Sequence, residues 1–480
     1  MKELLQRSLN LASLRGATYA DVRVVGTARE SLRVLSGRVS HAIQGESSGF
    51  GVRVIVDGAW GFASSAVLDA AEVDRVTAEA TAIARASATV RRAPVLLAEA
   101  PAVVDTYATV VRRDPFAVAV EEKLDLLFRA DAEMRRVPGV RVSEALIELE
   151  RQEKHFASTL GSDIHQTIVQ SGAMLRAVAA GPHEVQRRSY PSGFSRHQLA
   201  AGYEFIASLD LVESAPRVAA EAVMLLDAPP CPAGETTLIL DGPQLCLQLH
   251  ESCGHAIELD RVLGSEASFA GTSFLTLEKL GGFHYGSEIV NITADATIPG
   301  GAGSFGYDDE GVPAARTPIV RDGLFVGYLT SRETAPALGQ ASNGAMRAED
   351  WNRLPLVRMT NVNLEPGTWT LEDLIADTDE GVFMSTNRSL SIDDKRLNFH
   401  FGTEIAWEIR RGKLGRLYKN PTYMGVTPVF WGNCDAICDQ MHWRMWTVPI
   451  CEKGQPSQAI ATGHGAAPAR FRRVRVGSSG

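Results

Sequence analysis

The sequence predicts an α+β fold, in which an N-terminal mixed α/β domain precedes a large antiparallel, barrel-like β-rich domain that carries the candidate metal-binding helix. Helix and strand patterns alternate in the first half of the chain, whereas period-2 strand patterns dominate the second half. Between the two halves, residues 228–234 contain three prolines, which prevent regular structure. We therefore predict domains at residues 1–228 and 229–480.

The N-terminal half combines amphipathic helices with alternating strands. Asp57-Gly58 separates two apolar runs and is typical of a type I′ hairpin turn. Asp114-Pro115 is typical of a helix start. Residues 98–110 have no clear pattern and are predicted to be a linker. Helices are predicted at residues 1–14, 66–88, 114–134 and 215–226, and strands at residues 19–25, 31–35, 51–56, 59–63, 140–149, 154–159 and 163–179.

The C-terminal half begins with a predicted buried strand at residues 236–241. Gly242-Pro243 then indicates a turn into a helix that reaches about residue 260. Hairpin turns are predicted at residues 321–323 and 410–412, and residues 472–475 are predicted to form an edge strand with a solvated basic face. Further strands are predicted at residues 287–294, 317–320, 324–329, 382–384, 398–409 and 471–476.

Composition excludes several classes of protein. The formal net charge of -9 does not favour broad nucleic-acid binding, so no nucleic-acid partner is expected. No apolar run reaches membrane-spanning length, so no membrane partner is expected. The N-terminal residues carry charges where a secretory signal has its apolar core. Together with reduced cysteines, this predicts a cytoplasmic protein.

The segment His250-Glu251-Ser252-Cys253-Gly254-His255 is the strongest chemical signal. Imidazole is a common metal ligand, and a carboxylate next to a metal site can serve as a general base. Residues five apart diverge by roughly 140° on an ideal α-helix. A π-turn absorbs one extra residue and returns both imidazoles to one face. We therefore predict a π-turn through the motif, with Gly254 as the point where the helix widens.

A catalytic zinc ion usually has three protein ligands, so a third ligand must come from elsewhere in the chain. Cys253 lies inside the motif and is predicted to point away from both histidines. Cys434 and Cys438 are predicted to be ordinary thiols, because their spacing lacks a second pair nearby. Cys451 lies in a predicted loop, and its thiolate could complete a His2Cys site.

Several stretches resemble the TldD/PmbA family, and the resemblance covers nearly the whole chain. They are residues 49–63, the motif from His250 to His255, residues 308–311, residues 358–361 and residues 451–455. Only the TldD branch of that family carries the metal motif, so the chain resembles the active branch. Ser252, Cys253 and Glu452 depart from the family pattern, as does the shorter spacing from Cys451 to Gln455.

The resemblance implies a zinc metallopeptidase with one zinc ion per chain. His250, His255 and Cys451 would bind the zinc, and Glu251 would be the catalytic base. The implied substrates are unfolded or unstructured peptides. The implied assembly is a dimer, either of this chain alone or with a PmbA-like subunit.

Two other functional classes remain open from the residues alone. One is a non-catalytic, metal-dependent regulatory or binding protein, although a purely structural site would not need Glu251. The other is a zinc amidase that acts on small substrates.

Some further residues have less specific patterns. Residues 308–311 (Asp-Asp-Glu-Gly) are predicted on chemistry alone to form an exposed acidic turn. The resemblance instead places them near the active site or the substrate. His284, His400, His442 and His464 are predicted to be unrelated to metal binding.

Overall fold

The structure, a computed structural model, describes residues 1–479. The helices in this range are α1 (Lys2–Leu14), α2 (Ala70–Ala88), α3 (Val120–Arg135), α4 (Tyr203–Ala207), α5 (Leu211–Asp227), α6 (Gly242–Leu249), α7 (Leu259–Val262), α8 (Leu371–Ala376) and α9 (Thr427–Gly432). A π-helical turn spans His250–Gly254, and 3-10 turns span His255–Ile257, Leu277–Lys279 and Ala335–Leu338.

The strands in the same range are β1 (Tyr19–Leu35), β2 (Arg38–Val56), β3 (Ala59–Ser65), β4 (Val104–Ala108), β5 (Val140–Ser158), β6 (Asp163–Ala180), β7 (Val185–Tyr190), β8 (His197–Leu199), β9 (Gly234–Leu240), β10 (Ile292–Asp295), β11 (Arg316–Arg321), β12 (Leu324–Phe325), β13 (Met346–Arg347), β14 (Leu356–Val357), β15 (Val362–Leu364), β16 (Glu380–Ile392), β17 (Asn398–Arg410), β18 (Lys413–Tyr418), β19 (Pro421–Val426), β20 (Cys434–Ile437), β21 (Arg444–Lys453), β22 (Gln458–Ala466) and β23 (Ala469–Ser478).

The N-terminal sheet has the strand order β3-β2-β1-β5-β6-β4, with β7 and β8 also paired to β6. Its central strands are longer than the sequence predicted. The ladder from β1 to β5 continues without a break through residues 26–30, which join two predicted strands into one. The predicted linker at 98–110 contains β4, which pairs in parallel with β6. Cross-strand hydrogen bonds therefore order segments whose local pattern is weak.

Helices cover this sheet through two apolar clusters. Leu5 and Leu9 of α1 and Val76 of α2 pack with residues of β1, β2 and β3. Leu127 of α3 and Val218 of α5 pack with residues of β1, β5 and β6. The predicted start of α3 at 114–115 is wrong: the helix begins at Val120, after a turn in which the Asp114 carboxylate accepts from the Phe116 N–H.

The C-terminal half contains a closed five-stranded barrel, which confirms the barrel-like prediction. The ring runs β16-β9-β23-β19-β17 and closes through the antiparallel pairing of β16 with β17. The edge-strand prediction for residues 472–475 is wrong, because β23 pairs with both β9 and β19. The Arg472 side chain is not simply solvated, because its Nε–H donates to the Asp435 carboxylate. A smaller sheet, β12-β11-β10-β15, and the β21–β22 hairpin lie outside the ring.

The predicted tight turns are confirmed at three positions. Asp57-Gly58, Asp322-Gly323 and Arg411-Gly412 each place two consecutive residues at positive φ. This is the geometry of the type I′ turn, which suits the twist of the flanking strands.

The acidic segment at 308–310 is buried, so the prediction of an exposed acidic turn is wrong. It joins the two halves of the chain through ion pairs. Asp309 accepts from Lys154 Nζ at 3.1 Å to each carboxylate oxygen, and Glu310 lies 3.3 Å from Arg53 Nη1. Both cations lie on the N-terminal sheet. The acidic residues were misread because their partners are more than 150 positions away in the chain.

The predicted division at residue 228/229 stays a prediction, although the N-terminal sheet ends before it and the barrel strands begin after it. Among residues 1–479, no helix is long and apolar enough to cross a membrane.

Candidate metal centre

The helix at the motif changes type where the sequence predicted it would. Asp241 caps the start of α6, and its carboxylate accepts from the Gly242 N–H at 2.8 Å. The helix widens into the π-turn at His250–Gly254 and tightens into a 3-10 turn at His255–Ile257. Glu258 then takes an extended conformation with ψ 110°, so the helix ends at Ile257, before the predicted limit of about residue 260. The predicted π-turn is therefore confirmed.

Gly254 has a packing role rather than the conformational role predicted for it. Its φ of -53° is ordinary for a helix. A Cβ added there would overlap the Met359 side chain, including Sδ. The π-turn can therefore lie this close to Met359 only because residue 254 lacks a side chain.

Three possible ligands converge at the π-turn. The imidazole rings of His250 and His255 have centroids 4.8 Å apart. Ligand atoms of these two histidines and of Cys451 all lie within 4.8 Å of one another. All three residues are almost fully buried, with 2 to 6% of their surface exposed. Cys253, Cys434 and Cys438 are outside this group.

His464 holds His250 in one tautomer. The Val362 carbonyl can only accept, so His464 Nδ1–H donates to it at 3.0 Å. Burial, followed by the effect of His250, lowers the pKa of His464 well below its usual value, so its Nε2 is an acceptor. His250 Nδ1–H donates to that Nε2 at 2.9 Å, which leaves His250 Nε2 with a free lone pair. Burial also lowers the pKa of His250 to about 4, which keeps the ring neutral at pH 7.

Glu258 likewise holds His255 in one tautomer. His255 Nδ1–H donates to Glu258 Oε2 at 3.0 Å, so its Nε2 is free to face Cys451 Sγ at 3.7 Å. Burial raises the pKa of the Glu258 carboxyl, but Lys453 and His255 outweigh it and hold that pKa well below its ordinary value. Lys453 Nζ lies 3.3 Å from Glu258 and 2.7 Å from Asp260. A carboxylate on the distal nitrogen is typical of metal-binding histidines.

Cys451 lies on a strand, which corrects the predicted loop. Strand β21 pairs with β22, and a bulge between Val448 and Cys451 contains Pro449, which has no N–H to donate. Arg358 fixes this strand by donating to the carbonyl oxygens of Cys451 and Gln458. Burial raises the pKa of the Cys451 thiol, but His255 and Arg358 outweigh it and bring that pKa below its usual value.

The other five cysteines have the opposite tendency. Burial raises the pKa of each thiol, so these residues stay protonated. Only a thiolate binds metal well. Two imidazoles and one cysteine sulfur that converge in this way therefore fit a metal ion, which usually takes a water as its fourth ligand at such a site.

Glu251 lies beside this cluster and is also nearly buried, with 7% of its surface exposed. Its Oε2 accepts from Arg396 Nη1 at 2.6 Å. Burial raises the pKa of Glu251, but His250, His255 and Arg396 together lower it below its ordinary value. The carboxylate is therefore ionised at neutral pH and can accept a proton.

Sequence reasoning missed several residues of this site. The prediction that His464 is unrelated to metal binding is wrong in one respect, since it contacts the candidate ligand His250. Its spacing from the motif gives no signal, because the contact spans 214 positions. Arg396 and Lys453 were missed for the same reason. Glu258 could have been found, because it lies three residues after His255, within reach on one helix face.

A cavity of about 330 Å³ lies next to the hairpin that carries Cys451. Its lining includes Ile450 of β21 and Ile460 and Ala461 of β22. Asp309 and Arg347 also line this cavity. The acidic segment therefore contributes to this cavity, although none of the three candidate ligands lines it.

Comparison with known proteins agrees with this geometry. Three profiles described as PmbA/TldA metallopeptidase domain 1, central domain and C-terminal domain match residues 20–84, 113–226 and 233–478. A metalloprotease of Methanocaldococcus jannaschii is 30% identical over 93% of this chain and 94% of its own length. A metalloprotease of Haemophilus influenzae described as a TldD homologue is 26% identical over 99% of this chain and 96% of its own.

Solved structures show the same fold. A putative modulator of DNA gyrase from Thermotoga maritima superposes with a TM-score of 0.78 at 19% identity, over 99% of both chains. TldE from Thermococcus kodakarensis superposes with a TM-score of 0.73 at 16% identity, over 98% of this chain and 99% of its own. The relatives that are metalloproteases by name imply a metal ion, and the His/His/Cys cluster is where this chain could hold one. With a C-terminal profile that spans more than half of its length, the chain belongs to the PmbA/TldD metallopeptidase family.

Proposed function

We propose that this protein is a zinc-dependent metallopeptidase that hydrolyses peptide bonds in unfolded or unstructured polypeptides. One observation carries the proposal: the free Nε2 atoms of His250 and His255 converge with Cys451 Sγ beside the ionised Glu251. The family supports a metallopeptidase, and the donor set supports zinc. Imidazole and thiolate are the ligands that zinc prefers in proteins.

His250, His255 and Cys451 would hold the zinc ion. When bound, zinc lowers the pKa of water to about 7 and polarises a carbonyl group. Glu251 accepts the proton of the attacking water and later returns it to the leaving amine. Glu258 and His464 keep both ligand rings in the tautomer that binds metal. The Cys451 thiolate would add a negative charge to the site, and this charge would weaken the Lewis acidity of a bound metal ion.

Burial of the site supports unfolded substrates. The candidate ligands and Glu251 expose between 2 and 7% of their surface, so a folded domain could not reach them. The adjacent cavity follows β22, and Ile460 of that strand is the register partner of Cys451. An extended peptide fits beside a strand, where backbone hydrogen bonds impose little sequence preference.

We further propose that the protein acts as a dimer, with a second copy or with a PmbA-like subunit. The family resemblance supports this assembly. Light scattering of the purified chain, alone and mixed with such a subunit, measures the mass of the assembly. A monomer under both conditions would contradict it.

The first test is zinc content per chain, measured by elemental mass spectrometry. We expect near one zinc ion in the wild-type protein and a large loss in Cys451→Ser. Cys438→Ser is the matched control, because that thiol is also buried but lies outside the cluster. Wild-type protein without zinc after reconstitution would favour a binding protein.

The second test separates metal binding from catalysis. Glu251→Gln should keep its zinc, because Glu251 is not a ligand, and should lose at least about 100-fold in the rate of cleavage of an unfolded protein, because a general base is missing. Full activity in this variant contradicts the proposed role. Cleavage of small amides but not of denatured protein would identify an amidase instead.

A further inference from the structure

We propose that Arg396 is a further catalytic residue, which orients the Glu251 carboxylate and stabilises the negative charge that develops on the substrate carbonyl oxygen. This inference rests on the proposed peptidase function and extends it to the oxyanion. The motif itself contains no group suited to that role.

The guanidinium of Arg396 contacts the base directly. Nη1 donates to Glu251 Oε2 at 2.6 Å, and the Arg396 side chain is only 16% exposed. Its Nε–H is buried and has no acceptor. A buried N–H without a partner costs about 1–3 kcal/mol. A donor kept in this state beside the base is available to an acceptor that arrives with the substrate.

The turn that carries Arg396 is rigidly built. It joins β16 to β17, and the Asp393 carboxylate accepts from the backbone N–H groups of Leu397 and Asn398 at 2.8 and 3.0 Å. Arg396 has a φ of 64°, a left-handed conformation that is costly for a side chain of this size. Its carbonyl accepts from Thr427 Oγ1 at 3.0 Å. These contacts fix the backbone from which the side chain reaches Glu251.

A second arginine ties the same turn to the motif helix. Arg261 follows the motif on α7 and is 1% exposed. Its Nη2 donates to the Asp394 carbonyl at 3.0 Å, and its Nε donates to the Thr272 carbonyl at 2.8 Å. The Phe274 N–H also donates to the Lys395 carbonyl at 2.9 Å. The helix that carries Glu251 and the turn that carries Arg396 are therefore one packed unit.

The chemistry needs a donor of this kind. As the water oxygen bonds to the carbonyl carbon, its proton passes to Glu251 and the carbonyl π electrons move onto the oxygen. When the tetrahedral species collapses, the C–N bond breaks and Glu251 returns the proton to the amine nitrogen. Arginine keeps its charge throughout, because a guanidinium does not lose its proton in proteins. Arg396 therefore supplies fixed charge and an N–H where the oxyanion forms, and it transfers no proton.

The test compares Arg396→Ala, Arg396→Lys and Lys395→Ala. Lys395 is an exposed cation on the same turn, so its variant is the matched control for turn and charge. The substrate is a quenched-fluorescent peptide without stable structure. We expect kcat of Arg396→Ala to fall about 100- to 1000-fold, as for loss of an oxyanion donor, with KM within about threefold of wild type. Arg396→Lys should recover about tenfold of that loss.

A binding measurement gives a readout that does not depend on turnover. A phosphinic analogue of the peptide has a tetrahedral, anionic centre. Its affinity, measured by calorimetry, should fall in Arg396→Ala by about the same factor as kcat/KM. The affinity of the uncleaved peptide for Glu251→Gln should not change when Arg396→Ala is added. Zinc content should stay close to that of the wild-type protein.

Three results would overturn the inference while leaving the proposed function intact. The first is a kcat for Arg396→Ala within threefold of wild type. The second is a loss confined to KM, which would make Arg396 a substrate-binding residue only. The third is loss of zinc from both Arg396 variants, which would make its role structural. A zinc-loaded wild-type protein that cleaves no peptide would instead overturn the proposed function, and this inference with it.

Discussion

At the scale of single residues, the candidate site depends on groups that set the state of its ligands. His250 and His255 each use Nδ1–H toward a buried acceptor, so each presents Nε2 to the same point. The two acceptors differ in kind: one is a neutral histidine and the other a carboxylate paired with Lys453. The affinity of the candidate site for metal would therefore depend partly on residues outside the set of candidate ligands.

His464→Ala tests this dependence. The variant removes the nearer acceptor of His250 Nδ1–H, at 2.9 Å, and leaves only Thr462 Oγ1 at 3.3 Å, a hydroxyl that can accept or donate and so holds the tautomer less firmly. We expect metal affinity to fall about 10- to 100-fold, as for other partners of ligand histidines. Competition with a chelating dye measures the change. His400→Ala, an exposed histidine on β17, serves as control and should bind metal like the wild type. Unchanged affinity in His464→Ala would show that the contact does not orient the ligand.

The sequence predicted the residues that can be recognised from their local spacing. His250, Glu251 and His255 form a recognisable motif, and Cys451 followed from the family resemblance. His464 and Arg396 have no such signal, since each meets the motif only through the fold, across 214 and 145 positions. Their roles follow from hydrogen bonds, which a single sequence does not reveal.

At the scale of elements, the π-turn decides whether the two histidines can meet. The two histidines are five positions apart, a spacing that a regular α-helix places on diverging faces. The turn is held on one side by Trp431, whose Nε1–H donates to Ser252 Oγ at 3.0 Å. On the other side it packs against Met359 through the bare backbone of Gly254. The geometry of the cluster therefore depends on this packing.

Gly254→Ala tests the packing. The added methyl would overlap the Met359 side chain, and overpacking of this kind costs about 1–3 kcal/mol. We expect the free energy of unfolding in urea to fall by that amount and metal affinity to fall with it. Gly282→Ala is the control, because its added methyl meets no atom within 4 Å. Equal stability of the two variants would mean that the helix shifts freely.

Prediction at this scale succeeded where a local rule applies. The π-turn follows from ligand spacing, and the three type I′ turns follow from Asp-Gly and Arg-Gly pairs at hairpin ends. It failed where tertiary pairing decides. Strand β4 appears in a segment with no strand pattern, because it completes the edge of β6. The sequence of β23 predicts an edge strand, but in the barrel wall β23 has a paired strand on each side.

At the scale of the whole molecule, the N-terminal sheet and the C-terminal region are joined by buried charges. Asp309 contacts Lys154, lies 3.6 Å from Arg23 Nη1 and accepts from the Ala348 N–H at 2.7 Å. Burial raises the pKa of Asp309, but Lys154 and Arg23 outweigh it and hold that pKa below its ordinary value. Ionised Asp309 therefore stabilises the folded protein.

Asp309→Asn should reduce the free energy of unfolding by about 3–5 kcal/mol at pH 7, because it leaves two buried cations without their partner. The stabilisation by Asp309 is present above the unfolded-state pKa of about 4 and is lost as pH falls through the lower folded-state pKa. The difference between variant and wild type should therefore shrink in that acid range. Urea unfolding from pH 3 to pH 7 measures it.

Asp125→Asn is the control for this experiment, because its ion pair with Arg129 lies on the surface. Surface pairs contribute little to stability, so this variant should resemble the wild type at every pH. A stability loss in Asp309→Asn that stays constant across the pH range would contradict the ionised pair.

The general architecture could be predicted from patterns of hydrophobic residues, whereas its closure could not. Alternating segments in the second half indicate antiparallel strands, and the sequence predicts a barrel-like arrangement from them. The ring closes through residues such as Glu380 and Arg410, which face each other across β16 and β17. Which strands become neighbours depends on the whole chain, and local patterns do not contain that information.

The β21–β22 hairpin determines how late in synthesis the candidate site can be completed. It supplies Cys451 on one strand and His464, the partner of His250, on the other. Cys451 lies 196 residues after His255, so a ribosome-bound chain carries the histidine motif long before it carries the remainder of the centre. On the proposed function, any segment that has not yet folded in that interval would belong to the class of substrates. Because the proposed centre is divided between distant segments, it would stay incomplete until both segments have been made and have folded together.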